Sequence, residues 1–185
     1  MVVSDWIRCF SHLLPEGGSV LDLAAGGGRH CRWFLQRGCQ VTAVDRDVEA
    51  LRGLKETVPQ VKAGLEIIEV DLENGSPWPL EGRQFDGVIV VNYLWRPLFP
   101  SILNALNPGG ILLYETFAEG HEALGRPRNP DFLLAPGELL QVVQPRLTVA
   151  AYQHGRFEGA EGPAIKQRIA AISSTQPAAL DPPTW

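Results

Sequence analysis

The stretch VLDLAAGGGRHC, positions 20 to 31, constrains this chain more than any other. An apolar run of strand length breaks into Gly26, Gly27 and Gly28, then gives way to the helical pattern RHCRWFLQRG, with Gly38 as its stop. Consecutive glycines are costly to order, so they mark a turn that needs positive φ or a close backbone approach. In an open α/β sheet, the first strand-to-helix turn is the usual place for such an approach to a ligand.

The rest of the chain repeats that alternation. Ser4 to Leu14 carries Trp6, Ile7, Phe10, Leu13 and Leu14 at helical spacing, with Ser4 or Asp5 as N-cap, and predicts a leading helix packed over the ligand side. Strands are expected at 19–23, 40–45, 65–71, 85–92 and 110–117, with helices over 47–58 and 100–106. RLTVAAYQ (146–153) and AIKQRIAAIS (164–173), joined by a Gly-rich link, predict an antiparallel hairpin at one sheet edge. The sum is a Rossmann-like three-layer α/β sandwich: a mostly parallel seven-stranded sheet with an antiparallel C-terminal hairpin. Residues 1–173 form one domain in this reading, and the Pro-rich 174–185 a flexible tail.

Charge and cysteine usage narrow the partners. The net charge is −5 and the sixteen Lys and Arg residues are scattered, so no basic stripe tracks phosphates and a polynucleotide substrate is disfavoured. Cys9, Cys31 and Cys39 form neither a CxxC pair nor a zinc pattern, which predicts a reduced compartment and no bound metal. The N-terminal run carries Asp5 and Arg8 and suits neither a secretory signal nor a spanning helix, so the expected location is the cytoplasm, away from membranes.

The glycine turn does not match two common phosphate sites. A dinucleotide fingerprint fails because Cys31 stands where the third glycine belongs, and no Gly-Lys-Ser/Thr follows for a P-loop. What remains is Asp22-Leu23-Ala24-Ala25-Gly26-Gly27-Gly28, with Asp45 ending the second strand and Asp71 the third. This order resembles the class I S-adenosylmethionine-dependent methyltransferases, whose first motif is an acid followed by a GxGxG turn. The resemblance spans most of the chain and implies S-adenosylmethionine as cofactor.

By that resemblance, Asp22 lies beneath the methionine moiety and the Gly26 and Gly28 backbones lie against the cofactor. Asp45 accepts both ribose hydroxyls, Asp71 with the Leu72 backbone takes the adenine edge, and Asn92 accepts from the cofactor's amino group. Two departures stand out. Ala24 replaces the first glycine, which is tolerable with a negative φ, and Arg46 follows the ribose acid, where its guanidinium plane can stack on a ring.

For the acceptor, the segment Phe117–Ala135 exceeds the roughly 12–15 residues beyond which structureless loops are usually functional or disordered, and reads as a lid. His121 is its candidate base, while Arg126 and Arg128 are candidate clamps on an anionic acceptor. Tyr93 and Arg96 follow the fourth strand, where this fold presents substrate; Tyr93 is read as orienting the acceptor, Trp95 as core. Cys31 is read as packing, although a helix amino end would lower its pKa. Asn92-Tyr93-Leu94-Trp95 lacks the Pro-Pro-aromatic continuation of the amide- and nucleobase-directed members. The compact chain is more similar to small-molecule methyltransferases of the tellurite and thiopurine type. Two other classes stay open at this point: a nicotinamide-dependent oxidoreductase, and a non-catalytic module that binds the same cofactor.

Overall fold

The computed structural model describes residues 2–57, 63–144, 146–159 and 162–173. Its elements in chain order are α1 (Asp5–Phe10), β1 (Ser19–Leu23), α2 (Arg29–Leu35), β2 (Gln40–Asp45), α3 (Glu49–Thr57), β3 (Leu65–Glu69), β4 (Phe85–Val91), α4 (Phe99–Asn104), β5 (Leu106–Phe117), α5 (Glu138–Val143), β6 (Thr148–Gly159) and β7 (Gly162–Ile172). The strands form one sheet in the order β3-β2-β1-β4-β5-β7-β6. The first five are parallel, β7 runs antiparallel to β5, and β6 antiparallel to β7.

Period-two alternation distributes the core over both faces of this sheet. Val20, Ile89 and Leu113 pack beneath Trp6 and Phe10 of α1, Phe34 of α2, and Leu51 and Leu54 of α3. Leu21, Leu23, Val88, Val90 and Tyr114 face Ile102 of α4 and Leu139 and Val143 of α5. Both faces are covered, which is why β4 reads as a continuous apolar run. After β1 the chain turns one way to β2 and β3, then returns to place β4 on the other side of β1. That reversal opens a crevice above the carboxyl ends of β1 and β4.

Several boundaries move. The leading helix ends at Phe10 and continues as a 3-10 turn over Ser11–Leu13; Ser4 caps it, accepting from the Trp6 N–H at 3.2 Å. β5 begins at Leu106, because Asn107-Pro108-Gly109-Gly110 is absorbed as an irregularity in the pairing with β4 between Phe85 and Gly87. β6 and β7 run far into the link expected between them. Val58 and the tail 174–185 lie outside the described residues. Among the described residues, no helix is long and apolar enough to cross a membrane.

Candidate active site

The β1–α2 turn is a tight backbone cage. Gly26 and Gly28 have φ of 53° and 71°, and so, against the sequence expectation, does Ala24, at 55°. The methyl of Ala24 is therefore carried in the left-handed region, where a non-glycine residue is strained. Gly28 has a second reason to lack a side chain, since a Cβ there would sit 2.8 Å from Leu51 Cδ2. Nothing lies within 4 Å of a Cβ built at Gly26, which leaves that backbone open to solvent.

Asp45, at the end of β2, ties this turn down. Its Oδ2 accepts from the Gly26 N–H at 2.7 Å and its Oδ1 from the Asp47 N–H at 3.0 Å. Each carboxylate oxygen offers two lone pairs, so acceptor capacity remains on both. Beneath the turn, Asp22 is buried and accepts from the Cys31 thiol at 3.0 Å. Burial raises the Asp22 carboxyl to about 6, only partly offset by the Cys31 hydrogen bond. The thiol is pushed up by the same burial and by the facing carboxylate. Cys31 is thus an inert packing and hydrogen-bonding group, and the helix amino end does not activate it.

Two cavities flank the turn. The first, about 340 Å³, is lined by Ala24, Asp45, Arg46, Asp71, Leu72 and Tyr93, together with Val70, Glu73 and Phe132. The second, about 630 Å³, is lined on its floor by Asn92, Glu115, Lys166 and Arg168, with Arg29, His121 and Arg126 around it. Asn92 and Tyr93 are consecutive, yet each faces a different cavity. Asn92 has a φ of 57°, a conformation its short amide tolerates, and this directs the chain across the divide.

The first cavity suits a nucleoside. It has a carboxylate on a β-strand end, an apolar slot between Val70, Leu72 and Phe132, and a guanidinium at its rim. It also holds a buried polar atom without a hydrogen-bond partner, the Tyr93 hydroxyl. That phenol is held strongly in its neutral form by burial and by the Glu73 carboxylate. It therefore cannot act as a base near neutral pH.

Other expected site residues are occupied elsewhere. Arg96 donates to both oxygens of Glu138 at 2.7 and 3.0 Å and to the carbonyls of Asp131 and Leu133 at 2.7 and 2.8 Å. Its guanidinium is spent on structure, so it is not available as an acceptor clamp. His121 is buried; its Nδ1 accepts from the Ile165 N–H at 3.3 Å, and its Nε2 faces the Arg126 carbonyl at 2.9 Å. Nδ1 as acceptor makes Nε2–H the donor, which leaves no ring lone pair to take a substrate proton. Arg126 lines the second cavity, whereas Arg128 lines neither.

The segment after β5 is also not a free lid. It forms 3-10 turns at His121–Ala123 and Pro130–Phe132 and is pinned by Ala118 N–H to Ile165 O and Leu134 N–H to Phe117 O, both 3.0 Å. Phe132 and the Glu115, Lys166 and Arg168 trio line the two cavities, and motif reading passes over them. A signal existed for the trio: an acid inside the apolar run GILLYETF, and two cations two residues apart, on one face of a strand.

A mostly parallel sheet with this switch point, a glycine turn and acids closing successive strands defines a Rossmann-like architecture with a cavity of a shape and chemistry that suit a nucleoside cofactor. Residues 20–110 match the family described as methyltransferase domain. That matched stretch is a methyltransferase domain, in agreement with the class I resemblance, and the glycopeptide N-methyltransferase MtfA, solved with S-adenosylmethionine, shares the fold at a TM-score of 0.64 and 22% identity, over 91% of this chain and 92% of that one. The chain is 29% identical over 120 residues to the putative methyltransferase YqeM of Bacillus subtilis, covering 60% of this chain and 47% of that protein. It is 30% identical over 124 residues to trans-aconitate 2-methyltransferase of an Azoarcus species, covering 64% and 42%. The chain thus spans less than half the length of either relative. TehB from Haemophilus influenzae shares the fold at a TM-score of 0.71 and 20% identity, over 93% of this chain and 62% of that one. That fold agrees with the tellurite-type resemblance noted above.

Proposed function

We propose that this protein transfers a methyl group from S-adenosylmethionine to a small, anionic acceptor. The observation that carries the reading is the pair of cavities divided at Asn92-Tyr93, one suited to a nucleoside and the other walled by cations. When bound, the cofactor supplies an electrophilic methyl group on a sulfonium. Asp45 holds the ribose, Asp71 and Leu72 the adenine, and Phe132 and Arg46 its faces. Asp22, Gly26 and Gly28 shape the turn against the methionine end, and Asn92 lines the acceptor cavity beside Lys166.

The chain's contribution to rate is alignment and exclusion of water. With His121 committed on both nitrogens and Tyr93 held neutral, no side chain in this reading serves as general base, so the acceptor arrives already nucleophilic. The nicotinamide reading loses its support at Cys31, whose thiol fills the place of the third glycine and bonds to Asp22. The test is a labelled-methyl screen over thiols, oxyanions, small amines and RNA. Transfer to a small anion supports the proposal; transfer to RNA, or cofactor binding with no transfer to any class, overturns it.

A further inference from the structure

The floor of the second cavity holds a charge arrangement that is not balanced within the cavity. Glu115 of β5 is 2% exposed and is flanked from β7 by two cations: Lys166 Nζ is 3.6 Å from Oε1 and Arg168 Nε is 3.2 Å from Oε2. Glu115 pairs with Arg168 in the sheet register, and Phe117 with Lys166, which puts all four side chains on one face. Lys166 also donates to Asn92 Oδ1 at 2.7 Å. Each cation rests on an aromatic ring, Lys166 on Phe117 at 5.0 Å and Arg168 on Phe157 at 3.7 Å.

One carboxylate thus faces two cations, and the other acids of the wall do not make up the difference. Asp5 is bonded to Arg8 at 2.9 Å and Glu158 to Arg156 at 3.0 Å, both partners outside the lining. Arg126 adds another guanidinium group to the same wall. The contact between Arg168 and Glu115 is out of line for a hydrogen bond, so Arg168 Nε and Glu115 Oε2 are both buried without one. Burial lowers the Lys166 pKa, with Arg168 and Arg29 acting the same way and Glu115 opposing them. An under-compensated cation pair in a desolvated floor favours an anion. Phe117, Phe157, Leu124 and Pro163 supply apolar walls beside it.

We infer that Lys166 and Arg168 form a carboxylate-binding subsite for the methyl acceptor, which is a small organic acid with one anionic head and an apolar body. This rests on the proposed methyl transfer for its biological role, but not for its binding test. The same chemistry could serve the carboxylate of the cofactor's methionine instead, so the experiment separates the two sources.

Calorimetry with benzoate and phenylacetate, against benzamide and phenylacetamide, is run on the protein with and without saturating S-adenosylhomocysteine. The acids should bind at least about tenfold tighter than the amides, and Lys166→Met and Arg168→Met should each remove about that factor. Each variant leaves Glu115 with one cation, so the fold keeps a balanced pair; Lys166→Gln and Arg168→Gln serve as polar alternatives should either Met variant fail to fold. Affinity for S-adenosylhomocysteine should stay within about twofold throughout. Equal binding of acids and amides, no binding of either, or acid binding undiminished in the variants overturns the inference. A matching loss of S-adenosylhomocysteine affinity overturns it too, by assigning the cluster to the cofactor. If the wild-type protein takes up no S-adenosylhomocysteine, the proposed function fails, while the benzoate arm without it still decides the subsite.

Discussion

Arg96 and Glu138 are joined by two hydrogen bonds, 2.7 and 3.0 Å long, and this fork holds the wall of a cavity to which neither residue contributes. The same guanidinium grips the carbonyls of Asp131 and Leu133, on either side of Phe132. Phe132 is a large apolar side chain left 38% exposed on the wall of that cavity. Phe132→Ala should weaken S-adenosylmethionine binding by about tenfold, the value of an aromatic contact of this kind. Arg96→Lys should produce a similar loss, because an ammonium cannot reproduce the planar fork. Isothermal titration of the two variants checks this; unchanged affinity in both would remove Phe132 from the nucleoside site.

The proposed contact between Asp22 and the methionine ammonium makes cofactor affinity an expected function of pH. Its folded-state pKa is raised to about 6, so the carboxyl is neutral below that pH and ionised above it. A cationic methionine ammonium prefers the ionised form, so affinity should rise as pH increases through about 6 and level off beyond it. Below the midpoint the loss approaches about tenfold per pH unit. Asp22→Asn should flatten the profile; a wild-type profile that is flat from pH 5 to 8 would contradict the assignment.

Ala24 tests the cost of the turn. With φ at 55°, replacement by glycine should remove left-handed strain and raise stability by roughly 1 kcal/mol or less, after glycine's own entropic cost. Gly28→Ala should do the opposite, because it adds that strain and meets Leu51. Denaturant midpoints measure both. A stabilised Gly28→Ala would mean that the turn is not built as described.

The order of elements was legible because each boundary carried a local cause. SVLDL and QVTAVD are apolar strands closed by a glycine turn or an acid, and their observed spans coincide with the expected ones. The ends of β6 and β7 were hidden, since Gly155 and Gly159 read as turn residues while tertiary pairing carries the strands through them. Asp45, Asp71 and Leu72 could be placed by motif because strand ends converge in this topology. Arg96, His121 and Arg128 could not be sorted, because a loop charge looks the same in sequence whether it meets a carbonyl, a carboxylate or solvent. Lys166 was missed because its partner Asn92 lies 74 residues away and only the sheet brings them together.

Packing under the sheet makes a prediction independent of any ligand. Gly87 of β4 lies under Leu14, and a Cβ there would overlap its Cδ2. Gly87→Ala should destabilise the protein by about 1–3 kcal/mol through overpacking, and Gly87→Ala with Leu14→Ala should recover part of it. Thermal denaturation of the single and double variants reads the coupling.

The proposed methyl transfer requires that the cavity lined by Asp45, Asp71 and Tyr93 hold a sulfonium nucleoside with its ribose on Asp45. Titration of S-adenosylmethionine into the wild-type protein and Asp45→Ala tests it most directly. Wild-type protein should bind one equivalent and Asp45→Ala should lose about a hundredfold, the worth of two hydrogen bonds to a carboxylate. Absence of binding to the wild type, or equal retention by Asp45→Ala, would contradict it.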